Sequence, residues 1–275
     1  MATNEMRREA AKRKLASQQK RRAEQARKRK RTATIASAGA VVVVVVAVVL
    51  LTTAPWKSSG TADAAAPPTG VAADGTVSCQ YPADTTGQAA KPNNTPPTSG
   101  ISAQGTVAVS VTTSAGAIGL TLDRAQAPCT VNSFVSLAGQ GYFDNTPCHR
   151  LTTGEGLKVL QCGDPTGQGT GGPGYTIADE APKNLAPGGS SGTVIYPRGT
   201  VAMAKTSAPN SGGSQFFLVY ADSTLPPDYT VFGTVDAAGL ATLDKVAAGG
   251  TDDSNGTGDG KPKTAVTIQS AKVAA

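Results

Sequence analysis

Alternation of apolar and polar residues dominates the chain from about residue 101 onward. The stretch "TVAVSVTT" places a valine at every second position, and after the short turn "SAG" the stretch "AIGLTLD" repeats the alternation with Ile118, Leu120 and Leu122. Successive side chains of a strand point to opposite faces of its sheet. This period of two therefore predicts a β-hairpin with one buried face.

Two segments have the period of a helix instead. In "APCTVNSFVSLAG", apolar residues recur at intervals of three and four from Val131 to Ala138, Pro128 suits a first helical turn, and Gly139 ends the pattern. The segment "AAGLATLDKVAAG" (237–249) predicts a second short helix. Short β-like runs fill the rest: "CHRLTT", "LKVLQCG", "GTVAMAK", "SQFFLVY", "YTVFGTV" and "TAVTIQSAKV". Many short strands with two helices predict an all-β fold, an antiparallel barrel closed on itself, over residues 101–275.

A different pattern precedes this domain. Residues 32–56 carry no charge over 25 positions, enough for a helix across a hydrocarbon core of about 30 Å. Residues 1–31 hold 13 Lys and Arg against three Glu, a local charge of +10. By the positive-inside rule, 1–31 is a cytoplasmic tail, 32–56 a single membrane span, and the later domain extracytoplasmic in the cell membrane. A cleaved signal peptide, with "ADAAA" (62–66) as cleavage site, is the alternative.

The tail and the following spacer have distinct expected roles. A +10 tail attracts polyanions, and beside a membrane span anionic lipid is the expected partner rather than nucleic acid. Residues 57–100 are rich in Pro, Ala, Thr and Gly. That composition predicts a disordered linker that holds the domain away from the membrane.

Four cysteines fit an oxidising exterior. They are Cys79, Cys129, Cys148 and Cys162, and three pairings are open. A zinc site is disfavoured because the chain has no C-x-x-C pair, and no metal or cofactor is expected.

The candidate chemistry centres on His149, the single histidine, and Arg150 beside it. No G-x-S-x-G elbow accompanies the histidine, and the glycine-rich "CGDPTGQGTGGPG" lacks the order of a phosphate-binding loop. In a strand the two residues face opposite sides, so we expect His149 to face inward as a packed residue and Arg150 to lie on the outer face. Gln215 and Phe217 share one face of another predicted strand. An exposed aromatic beside a planar amide indicates a shallow groove for an extended peptide.

Three motifs carry a resemblance to a known family. "PCHRL…VLQCGD…GTGGPGY", "GTVAMAKTSAPNSGGSQFFLVY" and "YTVFGTV" resemble the cyclophilin family of peptidyl-prolyl cis-trans isomerases, in order and spacing, from about Thr106 to Val273. The resemblance implies a closed eight-stranded antiparallel barrel capped by two short α-helices, with a substrate groove on its outside.

The resemblance also assigns roles to residues. Arg150 matches the catalytic arginine, Gln161 and Gln215 match the glutamines that position it and the peptide, and His149 matches a packed structural residue. The matching substrate-binding positions are Phe217 (pocket floor), Val159 (wall), Ala204 and Lys205 (a strand beside the substrate backbone), Leu225 and Tyr229.

The expected function is isomerisation of X–Pro bonds in secreted or envelope proteins, which assists their folding. The sequence departs from the family around the pocket. Lys158 or Leu157 stands in place of a pocket phenylalanine, Leu225 in place of a common tryptophan, and Pro226 in place of a common leucine. A module that binds proline-containing polypeptides with little or no turnover is the alternative.

Overall fold

The structure, a computed structural model, describes residues 70–85 and 87–274. This part of the chain contains 14 strands and two helices. The strands are β1 Thr76–Val77, β2 Ile101–Ser102, β3 Thr106–Thr113, β4 Gly116–Asp123, β5 Thr146–Pro147, β6 Arg150–Thr152, β7 Val159–Cys162, β8 Val194–Tyr196, β9 Thr200–Met203, β10 Phe216–Val219, β11 Ser223–Leu225, β12 Val231–Val235, β13 Asp259–Gly260 and β14 Thr267–Val273. The helices are α1 Pro128–Gly139 and α2 Ala237–Ala248.

Ten strands form one antiparallel sheet in the order β13-β6-β7-β10-β9-β12-β4-β3-β14-β5. The predicted hairpin is β3–β4, which pairs without interruption from Thr106↔Asp123 to Thr113↔Gly116. Its buried positions alternate as the sequence predicts, because the inward side chains form one wall of the core. The core's largest fully buried side chains include Phe134, Phe143, Phe216, Phe232, Leu122 and Leu151.

Both predicted helices are present. Helix α1 spans the predicted residues, and the ring of Phe134 on its buried face contacts Phe143, Phe216 and Phe232 with centroids 4.8–5.5 Å apart. Helix α2 begins after Asp236, whose carboxylate accepts the Gly239 N–H at 2.6 Å as an N-cap. An all-β fold with two helices is therefore confirmed.

The backbone hydrogen bonds between the described strands do not form the closed eight-stranded barrel that we expected. Among the described residues the sheet is a curled ladder of ten strands with two ends, β5 and β13. The physical reason is an interruption at Cys148 and His149. These two residues separate β5, which pairs with β14, from β6, which pairs with β7.

The N-terminus of α1 has a cap that comes from far along the chain. Ala127 precedes the helix and provides no side-chain acceptor. Glu180 lies there instead, and its carboxylate accepts hydrogen bonds from the N–H groups of Cys129 (3.1 Å) and Thr130 (2.9 Å) and from the Thr130 hydroxyl (2.7 Å). Glu180 is buried, and this burial raises the pKa of its carboxyl.

We expect Glu180→Ala to lower the free energy of unfolding by about 3 kcal/mol, because it strands two buried N–H groups. Glu180→Gln keeps one acceptor and should lose about 1 kcal/mol. Urea denaturation monitored by circular dichroism measures both, with Glu155→Ala, at an exposed position, as the control. If Glu180→Ala is as stable as the control, the carboxylate does not support the helix.

Part of the predicted linker is packed onto the domain. Strand β1 pairs with β2, Val77 is buried, and the buried Tyr81 hydroxyl donates to the Cys129 carbonyl at 2.9 Å. A disulfide joins Cys79 to Cys129, and a second joins Cys148 to Cys162. Ordered packing thus begins before residue 101. A composition of small residues and prolines does not reveal that a disulfide and one tyrosine hold the segment in place.

The basic tail 1–31, the predicted span 32–56 and the start of the predicted linker lie outside the described residues. No helix within 70–85 or 87–274 has the length and apolarity needed to cross a membrane.

Candidate active site

Strand register brings the candidate residues into one row on the outer face of the sheet. Arg150 of β6 pairs with Gln161 of β7, Gln161 with Phe217 of β10, and Phe217 with Ala202 of β9. Directly opposed residues of neighbouring strands project to the same face. The row therefore places a guanidinium, an amide and an aromatic ring side by side.

The residues on either side of this row face the core. Phe216 and Leu218 belong to the main core, whereas Phe217 belongs to a smaller apolar cluster outside it with Val159, Ala202 and Val231. Gln215 and Phe217 thus share the outer side, as the sequence predicts.

Phe217 is not an exposed aromatic, which corrects the expectation. Only 5% of it is accessible. The rings of Tyr229 and Tyr196 lie over it, with centroids 5.6 and 6.4 Å away. The Tyr196 hydroxyl accepts the Tyr229 N–H at 3.1 Å and donates to the Pro226 carbonyl. This cover comes from β8 and from the segment after β11, so local alternation cannot reveal it.

A cavity of about 120 Å³ opens on this face. It brings together eight of the predicted site residues: Arg150, Val159, Gln161, Ala204, Lys205, Phe217, Leu225 and Tyr229. Leu157 completes the wall, while the Lys158 amine turns away and donates to the Thr153 carbonyl at 3.2 Å. Of the two candidates for the missing pocket phenylalanine, Leu157 is therefore the one at the pocket.

Arg150 is held by a carboxylate that the sequence did not indicate. Its Nε donates to Asp259 Oδ1 at 2.8 Å and its Nη2 to Oδ2 at 2.6 Å, while Nη1 lies 3.4 Å from Gln161 Oε1. The hydrogen bonds raise the pKa of Arg150 and lower that of Asp259. Asp259 is 109 residues from Arg150, and no local motif connects them.

The two glutamines form a chain of amides behind the arginine. Gln161 Nε2 donates to Gln215 Oε1 at 3.0 Å, and Gln215 Nε2 donates to the Gly171 carbonyl at 3.0 Å. Each amide therefore has a fixed orientation, and the Gln161 oxygen faces the guanidinium. The predicted association of Gln161 and Gln215 with Arg150 is what the geometry shows, although their roles stay predictions.

The glycine-rich segment that supplies Gly171 is fixed by the fully buried Asp164. Its carboxylate accepts the N–H groups of Thr166, Gly169, Thr170 and Gly171 at 2.7–3.1 Å. Burial raises the pKa of Asp164, but these bonds outweigh burial and the pKa lies below its usual value. The sequence excluded the order of a phosphate-binding loop here but did not indicate that a carboxylate organises the segment.

His149 has the surroundings of a packed residue. A Cβ placed on Gly169 would lie 3.3 Å from the histidine Cδ2, so the imidazole lies close against that glycine. Within the described residues neither ring nitrogen has a hydrogen-bond partner. Burial lowers the pKa of the ring and is the largest cause, while the charge of Asp164 raises it and that of Arg150 lowers it. A neutral ring suits the structural role predicted for His149.

The pocket therefore lies on the outer face of a curled β-sheet, between an aromatic floor and an aliphatic wall, with one fixed guanidinium at its edge. A family model described as cyclophilin type peptidyl-prolyl cis-trans isomerase/CLD matches residues 108–273. The chain belongs to this family. The match confirms the predicted family and enzyme class.

Curated relatives and a solved structure agree. The chain is 55% identical over 201 residues to a probable peptidyl-prolyl cis-trans isomerase B of Mycobacterium leprae, covering 72% of this chain and 67% of the relative. The corresponding protein of Mycobacterium tuberculosis is 52% identical over 208 residues, covering 74% and 66%. The alignments thus span about two thirds of these relatives. A crystal structure of a cyclophilin type isomerase of Cryptosporidium parvum superposes with a TM-score of 0.51 at 29% identity, covering 62% of this chain and 99% of that one.

Proposed function

We propose that this domain catalyses the cis–trans isomerisation of X–Pro bonds, with Arg150 as the catalytic residue. The observation that supports the proposal best is the fixed guanidinium at the edge of an apolar pocket floored by Phe217. The proline ring of a substrate occupies that pocket, against Phe217 and Val159.

The reaction needs a group that binds the twisted amide better than the planar one. Resonance gives the X–Pro bond a rotational barrier of about 18–20 kcal/mol. As the bond twists, the proline nitrogen regains its lone pair and becomes a hydrogen-bond acceptor. An N–H of Arg150 donates to that nitrogen and lowers the barrier, and each 1.36 kcal/mol gained is about tenfold in rate.

Asp259 and Gln161 make the guanidinium a prepared donor. The Asp259 carboxylate accepts hydrogen bonds from Nε and Nη2 of Arg150, and the Gln161 side chain lies beside Nη1. Arg150 then keeps one orientation before substrate arrives, so little reorganisation is needed in the transition state. Asp259 acts through Arg150, and we therefore regard it as a positioning residue.

Removing the carboxylate should lower catalysis more than stability. We expect Asp259→Ala to reduce kcat about tenfold with a smaller change in KM, because the binding pocket stays intact. Asp259→Asn, which keeps an acceptor of the same size, should recover part of the loss.

Steady-state assays on a proline peptide measure the effect, with Asp244→Ala as the matched control. Asp244 also forms a bidentate pair, with Nη1 and Nη2 of Arg198, outside the pocket lining. If kcat is unchanged in Asp259→Ala, the carboxylate does not position the catalyst.

The pH dependence follows from the same groups. Arg150 stays charged, the lowered pKa of Asp259 keeps it ionised, and burial keeps His149 neutral at and above its ordinary value near 6.5. We expect kcat/KM to vary less than about twofold from pH 6.5 to 8.5.

The same shift gives a stability prediction at acid pH. Because the folded-state pKa of Asp259 is depressed, the pair stabilises the fold fully above the unfolded value near 3.9 and is lost as pH falls through the folded value. The dependence of kcat/KM on pH, measured for wild type and Asp259→Asn, tests the expected flat profile. Acid unfolding of the same two proteins tests the expected loss of stability. A rate that changes with a pKa near 7 contradicts the proposed roles of these groups.

A peptide-binding module with little turnover remains the second candidate, because Leu225 and Leu157 alter the pocket wall. Assaying the full chain for turnover and for affinity on the same proline tetrapeptide distinguishes the two functions. Turnover that rises linearly with enzyme concentration supports the isomerase. Saturable binding without turnover supports the module.

We further propose that residues 32–56 anchor the protein in the cell membrane and that the domain acts on secreted or envelope proteins outside it. The charge-free 25-residue run beside a +10 tail supports this placement. Two disulfides in the domain also suit an oxidising compartment, and the tail would contact anionic lipid. Carbonate extraction of membranes and protease protection of the full chain test the anchor and its orientation. Release of the intact chain by carbonate contradicts it.

For the fold, we propose that β5 and β6 act as one bent strand that closes the sheet into the expected barrel. Only Cys148 and His149 separate them, and the Cys148 N–H donates to the Val266 carbonyl at 2.8 Å, which supports continuity along the β14 side. Slow amide exchange at Cys148 supports closure, and fast exchange opposes it.

A further inference from the structure

The segment Pro82–Thr85, which precedes the family-matched residues 108–273, lies against the loop that follows the glycine-rich stretch. The Asp84 N–H donates to the Gly174 carbonyl and the Thr176 N–H donates to the Pro82 carbonyl, both at 2.9 Å. Ala83 forms an antiparallel bridge with Tyr175. The segment is therefore an added strand-like edge of this loop.

Two anchors flank this edge. On one side, Cys79 is bonded to Cys129 of α1 and the ring of Tyr81 lies 5.4 Å from that of Tyr175. On the other side, the Ala90 N–H donates to the Gly172 carbonyl at 2.9 Å. These contacts fix the edge to the domain from both sides.

The edge forms a wall of a second, larger cavity. This cavity of about 500 Å³ is lined by Pro82, Ala83, Asp84 and Thr85 on one side and by residues of the 204–215 segment on the other. It shares Gln161, Ala204 and Lys205 with the pocket beside Arg150. A polypeptide whose proline lies in the smaller pocket would thus place a neighbouring residue in the larger one.

The chemistry of the walls indicates which side chain fits. The lining includes hydroxyl and amide groups from Thr85, Thr170, Thr206, Asn210 and Ser211. A long polar side chain would find hydrogen-bond partners there, whereas alanine would leave the space to water. These residues are exposed or half-buried, and a site that offers hydrogen bonds to a substrate side chain discriminates against a residue that cannot make them.

We propose that Pro82–Thr85 is a substrate-selecting wall of the groove and favours polypeptides with a long polar residue near the proline. This inference rests on the proposed function. It adds to the groove a segment that lies outside the matched family region.

The proposal is tested with variants that place a larger side chain on this wall and so fill the cavity. Ala83 and Thr85 are exposed and line the cavity, so Ala83→Phe and Thr85→Phe place a ring there without disturbing the core. Ala89→Phe, at an exposed position of the same segment that does not line the cavity, is the matched control. The substrates are proline peptides with Gln or Ala at each position flanking the proline, and kcat/KM and Kd are measured for each with the full chain.

We expect wild type to prefer Gln at one flanking position and both cavity-filling variants to reduce the Gln-to-Ala ratio of kcat/KM about tenfold. Ala89→Phe should keep the wild-type ratio. An unchanged ratio in both filled variants, or an equal change in the control, overturns the proposal. If wild type turns over no proline peptide, the proposed function fails, and the ratio of Kd values still decides whether the wall selects.

Discussion

Arg150→Ala should lower kcat/KM for a proline peptide by about 10²- to 10³-fold, the loss expected when one preorganised hydrogen-bond donor is removed from a transition state. No other described charged side chain at the pocket is placed to replace it, because Lys205 is paired with Asp179 at 2.8 Å. The loss should lie mainly in kcat, since Phe217 and Val159 still bind the proline. Arg150→Lys, which keeps the charge but loses the paired contact with Asp259, should recover little.

The control for this result is Arg198→Ala. Arg198 makes a bidentate pair with Asp244 on the surface, at 2.7 and 2.8 Å, so its removal reproduces the loss of an arginine–aspartate pair outside the groove. Its kcat/KM should stay within about twofold of wild type. Near wild-type turnover by a folded Arg150→Ala protein would contradict the proposed chemistry.

The second large effect concerns stability. Replacing Cys79 and Cys129 together by alanine should lower the free energy of unfolding by about 4 kcal/mol, because their bond closes a separation of 50 residues in the unfolded chain. Total stabilities are about 5–15 kcal/mol, so this is a large share. The loss should also loosen residues 76–85 and 87–90, where hydrogen exchange is expected to rise.

Cys148 and Cys162 provide the comparison, because their separation is only 14 residues. The same entropic relation predicts about 3 kcal/mol for that double variant. Guanidinium denaturation of both double variants and wild type measures the difference. If the Cys148/Cys162 variant loses more stability than the Cys79/Cys129 variant, loop length does not govern these disulfides.

Periodicity predicted the parts of the fold that depend on neighbouring residues. The hairpin β3–β4 and both helices follow from alternation and from apolar residues on one helical face, since each needs only a partner surface to bury that face. The same alternation placed Gln215 and Phe217 on the outer side and Phe216 in the core.

The features that the sequence did not reveal depend on residues far apart in the chain. Phe217 is covered by Tyr196 and Tyr229, which reach it through tertiary packing. Asp259 meets Arg150 across 109 residues, and Glu180 caps a helix that begins about 50 residues earlier. No short pattern records such contacts.

The packed part of the predicted linker shows a different limit. Its composition of small residues and prolines is typical of a spacer, and yet one disulfide and one tyrosine hold it against the domain. An aromatic residue two positions after a cysteine, as in "CQY" at 79–81, was the available signal. A paired Cys79 was expected to tie the linker to the domain, but the sequence left its partner open among three cysteines, and the structure pairs it with Cys129.

Magnetisation-exchange NMR on a proline peptide at equilibrium measures whether the groove accelerates rotation about an X–Pro bond. With a small fraction of full-length protein added, cis and trans signals of the peptide should exchange at a rate proportional to protein concentration, while their population ratio stays unchanged. Arg150→Ala at the same concentration should add about 10²- to 10³-fold less exchange. Chemical-shift changes that show binding by wild type, without any faster exchange, would mean that the groove binds proline peptides and does not catalyse their isomerisation.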